Sequence, residues 1–232
     1  MTRCMVKRTT TFSLAILISV AAPAFGAVLG QVDDFEDGTT QGWVVGVAMG
    51  AVHPAPPANV ADGGPLGAGD NYLQLTSIGG AAAGSRLAVL NLSQWTGNYL
   101  ADGIGLIAMD LMNLGNTDLA LRLYLENPMA GPPTDDAVTD AFLLPAGAGW
   151  QRAIFNVGAT GLTALNGDLN TLLSNVTAIR IIHNPDPTFP PPAVTSVLGV
   201  DNIAAIPEPS ALVLVASGIA LVLAVQRRRR IS

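Results

Sequence analysis

The sequence predicts an all-β body folded as a two-sheet β-sandwich, and three observations carry that prediction. Apolar residues alternate with period two along a series of short segments between Val32 and Ala205. Prolines gather in a few stretches between those segments rather than inside them. Only one short segment has a helical pattern. Alternation places successive side chains on opposite faces of a strand, so it marks strands with one face toward a core.

The first candidate strand carries Asp34 and Glu36, alternating onto one side. Residues 43–47, beginning with Trp43, are a second and shorter candidate, with Trp43 expected as a packing anchor in the core. Residues 72–76 and 87–90 follow, each bounded by turn-forming residues. Residues 104–112 are apolar on both faces and read as a central strand. Along the next segment Leu119, Leu121, Leu123 and Leu125 share one face, and Ala120, Arg122, Tyr124 and Glu126 the other. That pattern predicts a half-buried strand. Residues 137–144, 151–157, 178–183 and 196–205 complete the set. The one expected helix covers 168–174, where Asp168 can accept from a backbone N–H of the first turn. Twelve of the thirteen prolines in the body fall at 53–65, 128–133 and 185–192. Proline cannot donate to a sheet ladder, so these stretches are connections. About 180 residues suffice for a core without disulfides, and the only cysteine, Cys4, precedes the body.

Charge is sorted along the chain. The composition is 50% apolar and 12% charged, against about 25% charged in an ordinary soluble domain. Between Ala27 and Ile206 four arginines face sixteen acidic residues with no lysine, a formal charge of −12. Such a body repels phosphate backbones, which argues against nucleic acid as a partner. The remaining cations lie at the two ends. Arg3, Lys7 and Arg8 precede an eleven-residue apolar run from Phe12, with small residues at Ala22, Ala24, Gly26 and Ala27. That order predicts a secretory signal peptide over 1–26, read by the Sec translocon and cut by signal peptidase after Gly26 or Ala24. At the other end Pro207-Glu208-Pro209 leads into an uncharged apolar stretch, 210–225, and then Arg227, Arg228, Arg229 and Arg230. Sixteen helical residues span about 24 Å, so the prediction is a short transmembrane helix completed by flanking residues. The arginines stay cytoplasmic, which leaves the body on the far side of the membrane.

The Pro207-Glu208-Pro209 motif, the short apolar helix and the arginine cluster together resemble the PEP-CTERM sorting signal. The resemblance covers Pro207 to Arg230 and lacks the tryptophan often found early in that helix. It implies an exosortase-type processing enzyme as partner and a Gram-negative, exopolysaccharide-producing host. It also implies transient anchoring in the inner membrane, with the body in the periplasm, before delivery to the outer surface or extracellular matrix. The expected organisation is therefore a signal peptide over 1–26, a β-sandwich over 27–205 and a sorting tail over 206–232.

The margins of the body carry a second resemblance. Val32-Asp33-Asp34-Phe35-Glu36-Asp37-Gly38 with Gly42-Trp43, and Gly199-Val200-Asp201-Asn202-Ile203, are similar to the opening and closing strands of carbohydrate-binding-module jelly rolls. The resemblance implies a jelly roll whose first and last strands are neighbours. It also implies one structural Ca²⁺, held by Asp34, Glu36 and Asp201. Oxygen ligands from carboxylates suit that ion; a solvated acidic edge is the alternative reading of the same residues.

Sugar recognition needs exposed aromatic platforms with polar neighbours. The candidates are Trp95, Tyr99, Tyr124 and Trp150, with Arg122, Arg180 and His183 as polar partners. The alternative is that these aromatics belong to the core, their polar tips hydrogen-bonded. Enzyme motifs are absent: there is no HExxH, no GxSxG, no lysine in the body and no cysteine nucleophile. Asp135, Asp136 and Asp140 read as loop solvation. The expectation is a non-enzymatic exported envelope or matrix protein that binds polysaccharide and Ca²⁺. A structural or adhesive protein without sugar affinity, and a secreted glycan-active enzyme on the same fold, stand as alternatives.

Overall fold

The computed structural model describes residues 26–46 and 55–207. Residues 1–25, Glu208, Pro209, the apolar stretch 210–225 and Arg227 to Arg230 lie outside the described residues, and with them most of the signal and sorting segments. Among the described residues no helix is long and apolar enough to cross a membrane.

Two antiparallel sheets face each other. The first contains β1 (Val32–Asp33), β3 (Ala58–Val60), β4 (Tyr72–Ile78), β6 (Ile104–Asn113), β10 (Gln151–Asn156) and β13 (Thr195–Pro207). The second contains β2 (Trp43–Val45), β5 (Ala88–Asn91), β7 (Leu119–Asn127), β8 (Asp135–Thr139), β9 (Phe142–Leu144), β11 (Leu162–Asn166) and β12 (Ala178–His183). Successive strands cross repeatedly from one sheet to the other, as in a jelly roll. The first sheet runs β10-β6-β13-β4-β3, with β1 beside β13; the second runs β11-β8-β7-β12-β5-β2, with β9 beside β7. Two short helices, α1 (Tyr99–Asp102) and α2 (Leu169–Ser174), close one end.

The core follows from alternation. Ile107, Met109, Leu111, Leu198 and Val200 project inward from the first sheet, and Leu119, Leu121, Leu123, Leu125, Ile179 and Ile181 from the second. β6 lies between β10 and β13 in the interior of its sheet, and most of its residues on both faces are buried. α2 begins where expected: Asp168 caps it, accepting from the Thr171 N–H at 2.9 Å. Gly167 makes that turn possible, since a Cβ there would stand 2.2 Å from the Asp135 carboxylate.

Several expectations are corrected. β7 is buried on both faces, not half-buried. Its outer face is covered by a second small cluster, in which Tyr124, Val138 and Ile182 pack with Phe189 from the loop after β12. The strand expected over 137–144 is two strands. Leu121 pairs with Phe142 and Tyr124 with Val138, so the partner carries an extra residue between them. Arg122 uses the break, donating to the Thr139 carbonyl at 2.7 Å. Asp135 and Asp136 are buried in β8 rather than solvated in a loop. β3, β11 and α1 were not expected.

The first and last strands are neighbours, Val32 opposite Ala204 and Asp33 opposite Ile203. β13 carries a bulge there: Asp201 faces Asp110, but Ala204 faces Ala108. The extra residue bends the strand, with Asn202 at φ 50°, and lets both Val200 and Ile203 reach the core.

Asp33 joins the two sheets. Its buried Oδ2 accepts the indole N–H of Trp43 at 2.8 Å and that of Trp95 at 2.7 Å. Trp43 lies on β2 of the opposite sheet, and Trp95 in the loop after β5. Asp33→Ala should orphan two buried donors, each costing about 1–3 kcal/mol, and so lower the unfolding free energy by about 2–6 kcal/mol. The urea midpoint checks this, and Asp33→Asn, which keeps an acceptor oxygen, should fall between the two.

Candidate functional site

Of the four aromatic residues expected to bind ligand, three are buried. Trp95 is spent on Asp33. The Tyr99 hydroxyl donates to the Trp95 carbonyl at 2.8 Å, and burial pushes its pKa far up. Tyr124 donates to Asp136 at 2.8 Å, and its ring stacks on Phe189 with centroids 4.1 Å apart and planes 12° apart. A sugar ring cannot reach these three. The physical reason is ordinary: a large ring gains more from the core once its polar tip has a partner. Trp150 alone is partly exposed. It lies on the outer face of the first sheet, edge-on to Tyr72 at 5.4 Å, and its N–H donates to the Gly63 carbonyl. Gly199 leaves room for it, since a Cβ there would stand 3.0 Å from the indole.

The expected polar partners are also engaged. Arg122 is buried and donates to the carbonyls of Asn184, Thr139 and Pro185. His183 accepts the Ala120 N–H on Nδ1, and burial lowers its pKa. Arg180 pairs with Glu126, its Nε 2.9 Å from Oε1.

Of these three, Arg180 lines a groove on the outer face of the second sheet, and Arg122 helps to hold the loop that walls it. Arg122 holds the start of the proline-rich loop through Asn184 and Pro185, and Arg86 holds its end, donating to the Pro191 carbonyl at 2.6 Å. Phe189 is thereby laid over Tyr124. The groove beside it encloses about 390 Å³. Phe189, Pro190 and Pro191 form one wall, the Ala81–Arg86 turn forms the other, and Arg180 reaches in between. Apolar walls with a few fixed polar groups are the usual make-up of a ligand site, and this volume lies in the usual range. Sequence reasoning named Arg180 but missed Phe189 and Arg86. The proline cluster was the available signal, read only as a connection.

The acidic margin is arranged differently from the expected calcium site. β1 ends at Asp33, and Phe35 takes φ 57°, so Asp34 and Glu36 are not on one strand face. Asp34 receives the Gln41 side-chain amide and the Glu36 N–H, while Glu36 accepts the Asn71 N–H at 2.7 Å. Asp201 is buried in β13 opposite Asp110, and the Asn202 amide bridges the two carboxylates. Arg152 pairs with Asp110 at 3.2 Å. Among the described residues no three acidic, histidine or cysteine side chains stand where they could hold a metal ion.

A pair of carboxylates suited to glycoside hydrolysis would need to open into a cleft. Glu126 and Asp136 oppose each other across β7 and β8, but both are buried. Arg180 holds the first; Tyr124 and Asn166 hold the second.

No protein-family model matches this sequence, and no curated protein does. Solved structures do share its fold. The carbohydrate-binding module CtCBM11 matches with a TM-score of 0.50 at 14% identity, over 78% of this chain and 96% of that one. A family 11 carbohydrate-binding module from Clostridium thermocellum, solved with a β-1,3-1,4-mixed-linked tetrasaccharide, gives 0.46 at 13%, over 78% and 99%. An exo-β-agarase gives 0.48 at 12%, over 79% of this chain and 25% of that one. At these identities the likeness is one of fold: the body is an all-β, two-sheet sandwich of the jelly-roll kind.

Burial, with the charges of Asp70, Asp110 and Glu36, pushes the Asp201 pKa up to about 7 from 3.8. The folded state therefore holds a proton that the unfolded chain releases. The stability this confers is full below about pH 4 and lost as pH rises through about 7. Burial also raises Asp33 and Glu126, with the same sign, whereas His183 opposes them below its ordinary range. The thermal midpoint should fall from pH 5 to pH 8, and the fall should be smaller in Asp201→Asn.

Proposed function

We propose that this is an exported, non-enzymatic protein of the cell envelope or extracellular matrix whose body binds polysaccharide. The observation that carries the binding reading is the groove beside Phe189, apolar-walled and furnished with two anchored guanidinium groups. The fold shared with a carbohydrate-binding module adds to it. Burial and saturation of Glu126 and Asp136 support a binding rather than a hydrolytic role.

Export and sorting are proposed from the sequence. The leader is cut after Gly26 or Ala24, and an exosortase-type enzyme processes the tail near Pro207, Glu208 and Pro209. One structural fact bears on the leader: Ala27 is buried, its N–H donating to the Thr96 carbonyl, so the folded body begins no later than Ala27. Until processing, the tail holds the protein in the inner membrane. Mass spectrometry of material from cells and medium should find a new N-terminus at Phe25 or Ala27 and no polyarginine end. Intact Arg227 to Arg230 on all exported chains would overturn the processing step.

One Ca²⁺ is proposed as a structural ligand at the acidic margin, where the charges of Asp70, Asp110 and Glu36 all act on Asp201. Binding would have to draw Glu36 and Asp201 together with Asp70 or Asp110, because Asp34 is turned to Gln41. Calcium should then raise the thermal midpoint at pH 8 but little at pH 5, and a chelator should reverse it.

Affinity electrophoresis of the full chain in mild detergent, through gels cast with the host's exopolysaccharide, tests the binding. Retardation is expected, and Ala83→Trp, which fills the groove from its exposed rim, should abolish it. Loss in Trp150→Ala instead would move the site to the first sheet. No retardation at all would favour a structural or adhesive role.

A further inference from the structure

We infer that the groove beside Phe189 selects acidic sugar residues, those bearing carboxylate or sulfate groups; this rests on the polysaccharide reading of the same groove. The body is strongly anionic, yet three of its four arginines, Arg86, Arg122 and Arg180, lie on this one side. Two of them line the groove itself.

Each of the two keeps one nitrogen of its fork unspent among the described residues. Arg86 commits Nε to the Ala81 carbonyl at 2.9 Å and Nη1 to the Pro191 carbonyl, which fixes the guanidinium and leaves Nη2 without a partner. It makes no ion pair among the described residues. Arg180 commits Nε and Nη2 to Glu126. Its Nη1 lies beside Gly46 at the groove, 3.6 Å from where a Cβ on that glycine would stand. Glu126 offsets one of the two charges, so the groove keeps about one net positive charge among apolar walls. Among the described residues no carboxylate lines it. Residues 47–54, which follow Gly46, contain no acidic residue.

A guanidinium fork held rigid by carbonyls donates to planar oxyanions at little entropic cost. Neutral sugars would satisfy such donors less well, and a polyanion has no other reason to approach a body of this charge. The body as a whole repels polyanions, so binding to the body requires a local site, and the Ala83 variants separate that site from attraction to the cationic ends of the chain.

The test uses the full chain in mild detergent and four gel-embedded glycans: polygalacturonate, its carboxyl-reduced form, a sulfated galactan and a neutral β-glucan. Retardation by polygalacturonate or the sulfated galactan, but not by the reduced form, is expected. Which of the two retards identifies the acidic group. Ala83→Asp places a carboxylate on the exposed rim without touching the arginine anchors, and it should weaken binding at least tenfold relative to Ala83→Asn. Arg86→Gln should do the same, with near-UV circular dichroism reporting whether the loop stays packed. Equal retardation by polygalacturonate and its reduced form would overturn acidic selection while leaving polysaccharide binding intact. Retardation by the neutral glycans alone would do likewise. No retardation by any of the four would remove both readings. Binding unchanged in Ala83→Asp would place the site elsewhere and overturn the inference.

Discussion

The architecture depends on one buried carboxylate. Asp33 lies at the edge of the first sheet, and two indoles from the side of the second converge on a single one of its oxygens. A buried charge is costly unless its lone pairs are satisfied. Here burial raises the Asp33 pKa, while three side-chain donors, Trp95, Trp43 and Gln94, act against that rise. The arrangement is reciprocal. The indoles need an acceptor to be buried, and the acceptor needs donors. Through it β1 is pinned beside β13, β2 is held over β1, and the loop carrying Trp95 is set for α1, whose Tyr99 hydroxyl returns to the Trp95 carbonyl.

The two outer faces of the sandwich have different chemistry. On the first sheet carboxylates crowd around Asp201, with Arg152 and the Asn202 amide as partial relief, and Trp150 lies nearby over Gly199. On the second sheet arginines do the organising. Arg122 and Arg86 each grip backbone carbonyls of the proline-rich loop, and Arg180 locks Glu126. A loop with five prolines has few N–H groups of its own, so its carbonyls need outside donors. The guanidinium groups supply them. The same anchoring leaves Nη2 of Arg86 and Nη1 of Arg180 uncommitted among the described residues, so the groove's polar groups are fixed by the scaffold itself.

The residues that alternate strongly were legible in the sequence. Leu119 to Leu125, the two-faced 104–112 segment and the Asp168 cap all appear where the pattern put them. The neighbouring first and last strands also followed, from the short motifs at the margins. Three kinds of information were out of reach. β3 and β11 are short, with partly exposed residues, and owe their pairing to β4 and β8 rather than to their own pattern. Tyr124 looked exposed because its cover, Phe189, comes from a loop more than sixty residues later. Asp33 was overlooked beside Asp34 and Glu36 because type and spacing do not distinguish an inward carboxylate from an outward one. The pairing of β1 with β13 places Asp33, and the turn at Phe35, at positive φ and held by Gln41, Asn59 and Asn71, takes Asp34 and Glu36 off that strand.

The position of β13 bears on when the molecule can assemble. It lies between β6 and β4, yet it comes last in the described chain. Until Thr195 to Pro207 arrive, two interior edges of the first sheet stay open, and β1 has nothing to pair with. Long-range pairing of this kind is slow, and unpaired edges invite association with other chains. A ribosome or translocon releasing the chain from its front end would therefore hold an unfinished sandwich until the final strand emerged, and assembly would then proceed in one step.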